Sequence, residues 1–394
     1  MSLPQIADLV VVIIVLASQF FIGHSFFTNW RKRLTPQMAR AVSIALYLLW
    51  AVTAFNLLLE ITRLRLGRWV PGPVRGPLRA IGSTWGMGAA VSLVIFFIYR
   101  YFIRTGIQKL SPTFSSERRG LIRSAGAVAM TAPFAAAAFG AVIERTQYQV
   151  NEIDLPIPNL HPDLEGLRIA QISDLHVSPY LSVREAGRVV DMTNELRAHL
   201  TVVTGDLITE AGDPLDDTIL ELARLRADAG VLGCLGNHEV YARCRNRETN
   251  LCARQGIKIL RGEARELRFG KGVLNIAGVD FQSFGDKPAY LERAEELVRP
   301  GATNLLLSHN PDVFPVAVRK GYDAMLAGHT HGGQVTVEIL NRTANFARFF
   351  TPYVAGLYRL DGRSCYVNAG IGTIAVPFRI GAPPEISLFR LRKA

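Results

Sequence analysis

Gly328-His329-Thr330-His331-Gly332-Gly333 follows the apolar run Tyr322–Leu326. Its two histidines stand two residues apart, bracketed by glycines. In a strand, residues i and i+2 point the same way. At a strand's end, a glycine turn lets both imidazoles converge on one point. Neutral imidazole is the commonest side-chain metal ligand. A pair alone is weak evidence, but four upstream blocks strengthen it: Asp174-Leu175-His176, Gly205-Asp206, Gly236-Asn237-His238-Glu239 and Ser308-His309-Asn310. Each closes a short β-branched or leucine-rich run. Together with the histidine turn they hold five of the eight histidines.

Outward from them the pattern alternates. Residues 169–173, 201–204, 231–235, 273–279, 303–308 and 322–327 read as strands. Residues 183–200, 216–227, 240–255, 287–298 and 311–319 read as helices, and 335–339, 357–360, 365–368 and 386–391 as later strands without helices. This predicts an α/β (α+β) domain, two packed sheets flanked by helices. Asp174, Asp206, Asn237, His309 and His329 all fall just past a strand's C-terminal end, where open α/β sheets bind ligands. Carboxylates buried there without partners are costly, and bound cations would compensate them.

The ordered blocks D-x-H, G-D, G-N-H-[DE], a later H and G-H-x-H resemble the signature of the calcineurin-like metallophosphoesterases. Gln171–His176 and Gly328–Gln334 resemble the membrane-attached bacterial phosphodiesterases of that superfamily. So do Gly356–Arg359 and Pro383–Ile386. The resemblance covers residues 150–394 and implies a metallophosphoesterase-like fold. It implies two divalent metal ions: one on Asp174, His176, Asp206 and His331, the other on Asp206, Asn237, His309 and His329. Asp206 is then the bridge, a role expected to need two carboxylate oxygens. His238 is expected to be the catalytic general acid or a phosphate stabiliser, and Glu239 an orienting or capping residue. His161 and His199 are read as surface or packing residues. Oxygen and nitrogen ligands without thiolate suit Mn²⁺ first, or Fe or Zn²⁺, rather than Ca²⁺. Such a pair suits metal-activated hydroxide attack on a phosphodiester or pyrophosphate.

Composition separates the chain in two. Of 394 residues, 49% are hydrophobic. Residues 1–149 carry a balance of +12, from 16 basic and 4 acidic residues, whereas residues 150–394 carry −1. Four runs lack charge: 9–27, 41–59, 80–99 and 124–143. Each has about the 20 residues that cross a bilayer. The expectation is a four-helix transmembrane anchor over 1–145 and a catalytic domain over 146–394. Gly82-xxx-Gly86 permits close helix packing, and His24 reads as an interfacial or packing residue. Basic positive-inside loops explain the charge better than nucleic-acid binding. Arginine counts put the first and third loops in the cytoplasm and the catalytic domain on the periplasmic or extracytoplasmic side of the cell membrane. Arg118-Arg119 resembles a twin-arginine signal, with Ala136–Ala138 a conceivable cleavage site. None of Cys234, Cys244, Cys252 and Cys365 is expected in a disulfide, Cys244 and Cys252 being too far apart within one helix.

The function expected is a membrane-anchored, metal-dependent phosphoesterase acting on a phosphoester substrate, with the lipid bilayer as partner. The alternative is a transport or sensory protein whose phosphoesterase-like domain only binds metal. The intact ligand set disfavours it, as does the lack of charge in the spans. Residues 341–353 mix Arg342 and Arg348 with four aromatic residues and no acid. They read as a core-covering loop, or as a lip at the bilayer interface with both arginines near the head group of a lipid-linked substrate.

Overall fold

A computed structural model describes residues 13–24, 27, 34–61, 72–98, 101, 116–339 and 342–394. Contacts divide them into two units. One runs to Ile143 and includes Val376–Phe378; the other comprises Glu144–Ala375 and Arg379–Ala394.

In the first unit, three of the described helices are long and apolar enough to cross a membrane, over Pro36–Phe55, Gly76–Ile98 and Ser124–Thr146. A shorter apolar helix covers Ile13–His24, so the expected span over 9–27 is described only in part. Only 6, 28 and 12% of the three long windows is buried. Tyr47, Leu48, Phe97 and Val128 stand exposed, an arrangement that water penalises and lipid does not. Among the described residues these helices are therefore not buried in a core. Thr53 Oγ1 donates to the Gly82 carbonyl at 3.2 Å, and Ser92 Oγ to that of Met130 at 2.7 Å. A Cβ on Gly86 would lie 3.2 Å from Gln19 Nε2 and Val15 Cγ1, so this glycine permits the expected close approach. His24 stacks on Phe20. Residues 31–33, 63–68 and 104–109, used for the topology expectation, lie outside the described residues, as do the side chains of Arg118 and Arg119. Ala136–Ala138 lies within the helix Ser116–Val142.

The second unit contains β1 (Gln149–Ile157), β2 (Arg168–Ile172), β3 (Leu200–Thr204), β4 (Val231–Cys234), β5 (Ile257–Ile259), β6 (Glu263–Phe269) and β7 (Gly272–Gly278). There follow β8 (Thr303–Leu307), β9 (Ala324–Ala327), β10 (Thr336–Ile339), β11 (Arg342–Asn345), β12 (Gly356–Leu360), β13 (Arg363–Val367) and β14 (Glu385–Lys393). One sheet has the order β1-β14-β2-β3-β4-β5 and the other β12-β13-β9-β8-β7-β6; β10 and β11 form a separate ribbon. Strands β2 to β5 are parallel, as are β7, β8, β9 and β13. The period of two explains the layers. Val202, Leu305, Leu307 and Leu326 fill the space between the sheets with Ile169, Leu232 and Phe389. Their neighbours Val203, Leu306 and Met325 face outward into the two flanking clusters. Each such buried aliphatic contributes ~1.5–3 kcal/mol. The expected two-sheet α/β fold is the one observed.

The helices differ more. Ser182 and Glu185 form a capping box that starts the helix Val183–Glu195. It stops before the expected residue 200 because Arg197 is left-handed (φ 48°) and β3 begins at Leu200. The helix expected over 216–227 is Leu215–Leu222. That expected over 240–255 is two, Asn237–Tyr241 and Arg245–Arg254, broken where Arg243 is left-handed (φ 57°). Cys244 caps the second, so it does not share one helix run with Cys252 as expected; all four cysteines are free and buried. No α-helix covers 287–298. Two 3-10 segments, Phe284–Ala289 and Ala294–Leu297, flank the left-handed Leu291 and Arg293. The unforeseen β1 and β6 are edge strands. Charged residues on such edges discourage pairing with other chains and hide the apolar alternation.

Candidate metal centre

Strands β2, β3, β8 and β9 end at Ile172, Thr204, Leu307 and Ala327; Asp174, Asp206, His309 and His329 lie two residues beyond these ends. Asn237 stands three beyond β4, in the first turn of the helix Asn237–Tyr241. The first sheet thus supplies Asp174, His176, Asp206 and Asn237, and the second His309, His329 and His331. Gln171 joins the sheets beneath them. Its Nε2 donates to Thr204 Oγ1 at 2.8 Å and to the Ala327 carbonyl at 2.9 Å.

The turns carrying these residues are sharp. Asp174, His176, Asp206, His329 and His331 all have left-handed backbones, φ 47–76°. Asp and His tolerate this region better than most, yet each instance costs on the order of 1–3 kcal/mol. Hydrogen bonds hold the turns. Asp174 N–H donates to the Gly205 carbonyl and His176 N–H to that of Asp206, both at 3.0 Å. The Glu239 carboxylate accepts from the amides of Gly236, Asp206 and Leu207 at 2.6, 3.0 and 2.8 Å. Glu239 is therefore the orienting and capping residue expected, and its carboxylate clamps two ligand-bearing loops together. These loops press so closely that a Cβ on Gly236 would fall 2.1 Å from Asp206 Oδ1.

All seven expected ligands converge. His331 Nε2 lies 3.1 Å from His176 Nε2 and 3.4 Å from Asp174 Oδ1. His309 Nε2 lies 3.1 Å from Asn237 Oδ1, and its ring packs edge-on against that of His329. Asp206 Oδ2 stands 3.4 Å from His176 Nε2 and 3.1 Å from His309 Nε2. Asp206 Oδ1 accepts the His238 amide at 2.8 Å. One Asp206 oxygen thus faces both groups of donors, and the other is held by the backbone. The ring nitrogens are aimed by carbonyls. His309 Nδ1 donates to Thr204 O and His238 Nδ1 to Thr209 O, each at 2.6 Å, while His176 Nδ1 contacts Thr209 Oγ1 at 3.2 Å.

Electrostatics decide which groups carry charge. Burial lowers the pKa of His329 to about 3, and burial with neighbouring His176 and Arg379 holds His331 well below its usual range. Both are neutral donors. Burial alone would lower His309, but Asp206 and Asp174 override it and raise it to about 10. Burial would likewise raise Asp206, yet His309 and His176 hold it well below the usual carboxylate range. Divalent cations fit this set. Ligating atoms of Asp174–His176–His331, of Asp206–His309–His329 and of His176–Asp206–His238 lie within 4.8 Å of one another in each group. Two imidazole nitrogens as close as those of His176 and His331 need a proton or cation between them. His161 and His199 lie elsewhere, accepting from the amides of Asp163 and Arg168.

Sequence reasoning missed Arg379, about fifty residues past the histidine turn. It is fully buried. Its guanidinium donates to the carbonyls of Ala369 and Ala382 at 2.9 Å, Gly370 at 3.0 Å and Gly372 at 2.5 Å, and reaches 3.5 Å from His331 Nδ1. Burial lowers its pKa to about 10, which leaves it charged at neutral pH. One planar fork thus ties the 369–372 loop to the back of the histidine turn. Arg379→Met is expected to destabilise the protein by about 3 kcal/mol or more, since each buried carbonyl left without a donor costs ~1–3 kcal/mol. Arg379→Lys should recover only part of this, having fewer donors. Urea melts of both variants check it; a Met variant as stable as wild type would show that other donors reach these carbonyls.

The profile of the calcineurin-like phosphoesterases matches residues 167–333, which carry all of these ligands. A bovine transmembrane protein with metallophosphoesterase domain is 28% identical over 260 residues, 62% of this chain and 57% of that one. The match thus spans under two thirds of that relative's length. A Bacillus subtilis (strain 168) metallophosphoesterase of uncharacterized function is 28% identical over 259 residues, 64% and 86% of the two chains. One from Aquifex aeolicus (strain VF5) is 30% identical over 234 residues, 57% and 85%. With the same ordered blocks converging in space, the chain belongs to the calcineurin-like phosphoesterase family.

Proposed function

We propose that this protein is a membrane-anchored, two-metal phosphoesterase that hydrolyses a phosphodiester or pyrophosphate bond. The observation that carries the reading is Asp206 Oδ2, which faces His176 on one side and His309 on the other at 3.4 and 3.1 Å. Family membership implies divalent metal ions. Asp174, His176, Asp206 and His331 would hold one, and Asp206, Asn237, His309 and His329 the other. Bound there, such ions supply an activated water and neutralise phosphoryl charge. The oxygen and nitrogen donor set favours Mn²⁺, with Fe or Zn²⁺ as alternatives.

The chain's own part falls to His238. Its Nδ1–H is committed to Thr209 O, which orients the ring and leaves Nε2 as the second nitrogen; burial lowers the ring's pKa, so Nε2 gives a proton to a departing oxygen only from the imidazolium form. The ring lies between His176 and Tyr241, with centroids at 4.6 and 5.4 Å. Tyr241 is exposed, and Phe281 packs at 5.6 Å from His329. These two aromatic rings border the partly exposed side of the site, where a substrate would arrive. Helices of membrane length support multi-pass anchoring in the cell membrane. The basic loops support an extracytoplasmic catalytic unit, and anchoring favours a lipid-linked substrate by raising its effective concentration.

One experiment tests reaction and side together. Spheroplasts expressing the chain are expected to hydrolyse external bis-p-nitrophenyl phosphate when Mn²⁺ is supplied, and a chelator should stop them. Turnover seen only after lysis would reverse the side. Purified, metal-loaded protein without turnover on any diester or pyrophosphate would remove the reaction.

A further inference from the structure

The ribbon β10–β11 belongs to neither sheet. It runs into a 3-10 turn over Phe346–Phe349, then Phe350. Phe349 is 84% exposed, the most exposed large apolar side chain among the described residues, and Phe350 is 69% exposed. Val337 on the ribbon is also exposed. Arg348 stands exposed beside the phenylalanines. No acidic residue occurs between Glu338 and Asp361.

This projection is built rather than loose. Asn345, buried, donates from Nδ2 to the Gly332 carbonyl at 2.8 Å and to Thr336 Oγ1 at 2.5 Å, and accepts from the Ala347 amide at 2.8 Å. Thr330 Oγ1 donates to the Val354 carbonyl. Thr351 Oγ1 donates to Asp312 Oδ1 at 2.5 Å, and the Tyr353 ring packs on Phe314 and Tyr358. The tip is thus stitched to the turn that carries His329 and His331. Behind it lies a cavity of about 260 Å³ whose walls include Asn151, Gly332, Asn345, Arg348, Tyr358 and Glu385. A rigid tip with two aromatic rings outward has paid its ordering cost in advance, and exposed apolar groups of this kind mark contact surfaces.

We propose that Arg348, Phe349 and Phe350 form an interfacial docking tip that seats the second unit on a bilayer bearing anionic phosphate head groups. The rings enter the boundary between head groups and acyl chains, and Arg348 pairs with lipid phosphate. A bilayer is favoured over a protein partner for two reasons on the chain itself. Its other unit carries helices of membrane length with lipid-compatible exposed faces, so a bilayer is always within covalent reach. The tip's charge is also purely positive, complementary to phosphate. Docking would hold the histidine turn at the membrane surface. The inference does not depend on the hydrolytic reading, and its test needs no turnover.

The test uses the full chain in nanodiscs containing phosphatidylglycerol, with one nitroxide at Phe350→Cys and, separately, at Leu220→Cys. Leu220 is exposed on the helix Leu215–Leu222, and the four native cysteines are buried. Collisional relaxation by oxygen relative to a water-soluble nickel chelate is expected to be several-fold higher at 350 than at 220. Adding Arg348→Glu should reduce that ratio, more in phosphatidylglycerol than in phosphatidylcholine discs. Equal, water-like ratios at the two positions would overturn the proposal. So would a label at 350 shielded from both oxygen and nickel, which would indicate contact with protein, including a second copy.

Discussion

Asp206→Asn is expected to abolish phosphoester turnover and reduce the metal content of the purified protein, while the fold survives. The two oxygens of Asp206 have separate work. Oδ1 accepts the His238 amide at 2.8 Å, and the asparagine carbonyl can still do so, which keeps the loop in place. Oδ2 faces His176 and His309; an amide group there has neither the charge nor the lone pair to hold a cation. Changes to groups behind metal ligands already cost roughly 10–100-fold in affinity, and loss of a shared ligand should exceed that. Elemental analysis after gel filtration and a thermal melt separate the possibilities. An Asn variant that keeps a full complement of metal would sink the bridging role. An Asn variant that fails to fold leaves Asp206→Glu as the second comparison, since it retains charge while displacing the oxygen.

His238→Ala is expected to do the opposite, keeping the metal and losing about 10²–10⁴ of kcat, the usual contribution of a general acid. The geometry makes this a real question, because His238 can share an ion-sized space with His176 and Asp206. Its orientation favours the acid role. The Asp206 side chain holds its backbone amide and Thr209 O holds its Nδ1, so the ring is aimed by protein groups and needs no ion to position it. A leaving group that requires no proton offers the sharper comparison. The variant's deficit should shrink on a p-nitrophenyl ester relative to an alkyl ester of the same phosphate. If the alanine variant instead emptied the site, His238 would be a ligand.

The polar blocks were legible because each closes a strand, and strand signals are local. Val202-Val203 before Gly205-Asp206, and Leu305–Leu307 before Ser308-His309, are short runs that two buried faces require. The chain's turn to a left-handed backbone at the next polar residue, seen at Asp174, Asp206 and His329, was not written in residue type. Nor was the break at Arg243, where both sides of the break look helical. Charged edge strands such as β6 carried no usable alternation, and the 3-10 turns around Leu291 sit in a stretch whose composition suits a helix. In each case tertiary contacts overrode a weak local preference.

From sequence alone came the candidate ligand types, their order and their place at strand ends, along with the division into an apolar basic part and a charge-balanced part. These are properties of composition and of periods of two and about four residues, which are set by neighbours along the chain. Only the tertiary structure decided that His309, His329 and His331 arrive from a second sheet to meet Asp174, His176, Asp206 and Asn237. It alone decided that a single oxygen of Asp206 faces both groups, and that Arg379 supports the histidine turn from behind. It also turned Phe349 and Phe350 outward on a turn that Asn345 ties to Gly332. Those outcomes depend on how two sheets pack face to face and on which carbonyls and amides are left for side chains to satisfy. Groups more than a hundred residues apart set such terms jointly, beyond the reach of any local pattern.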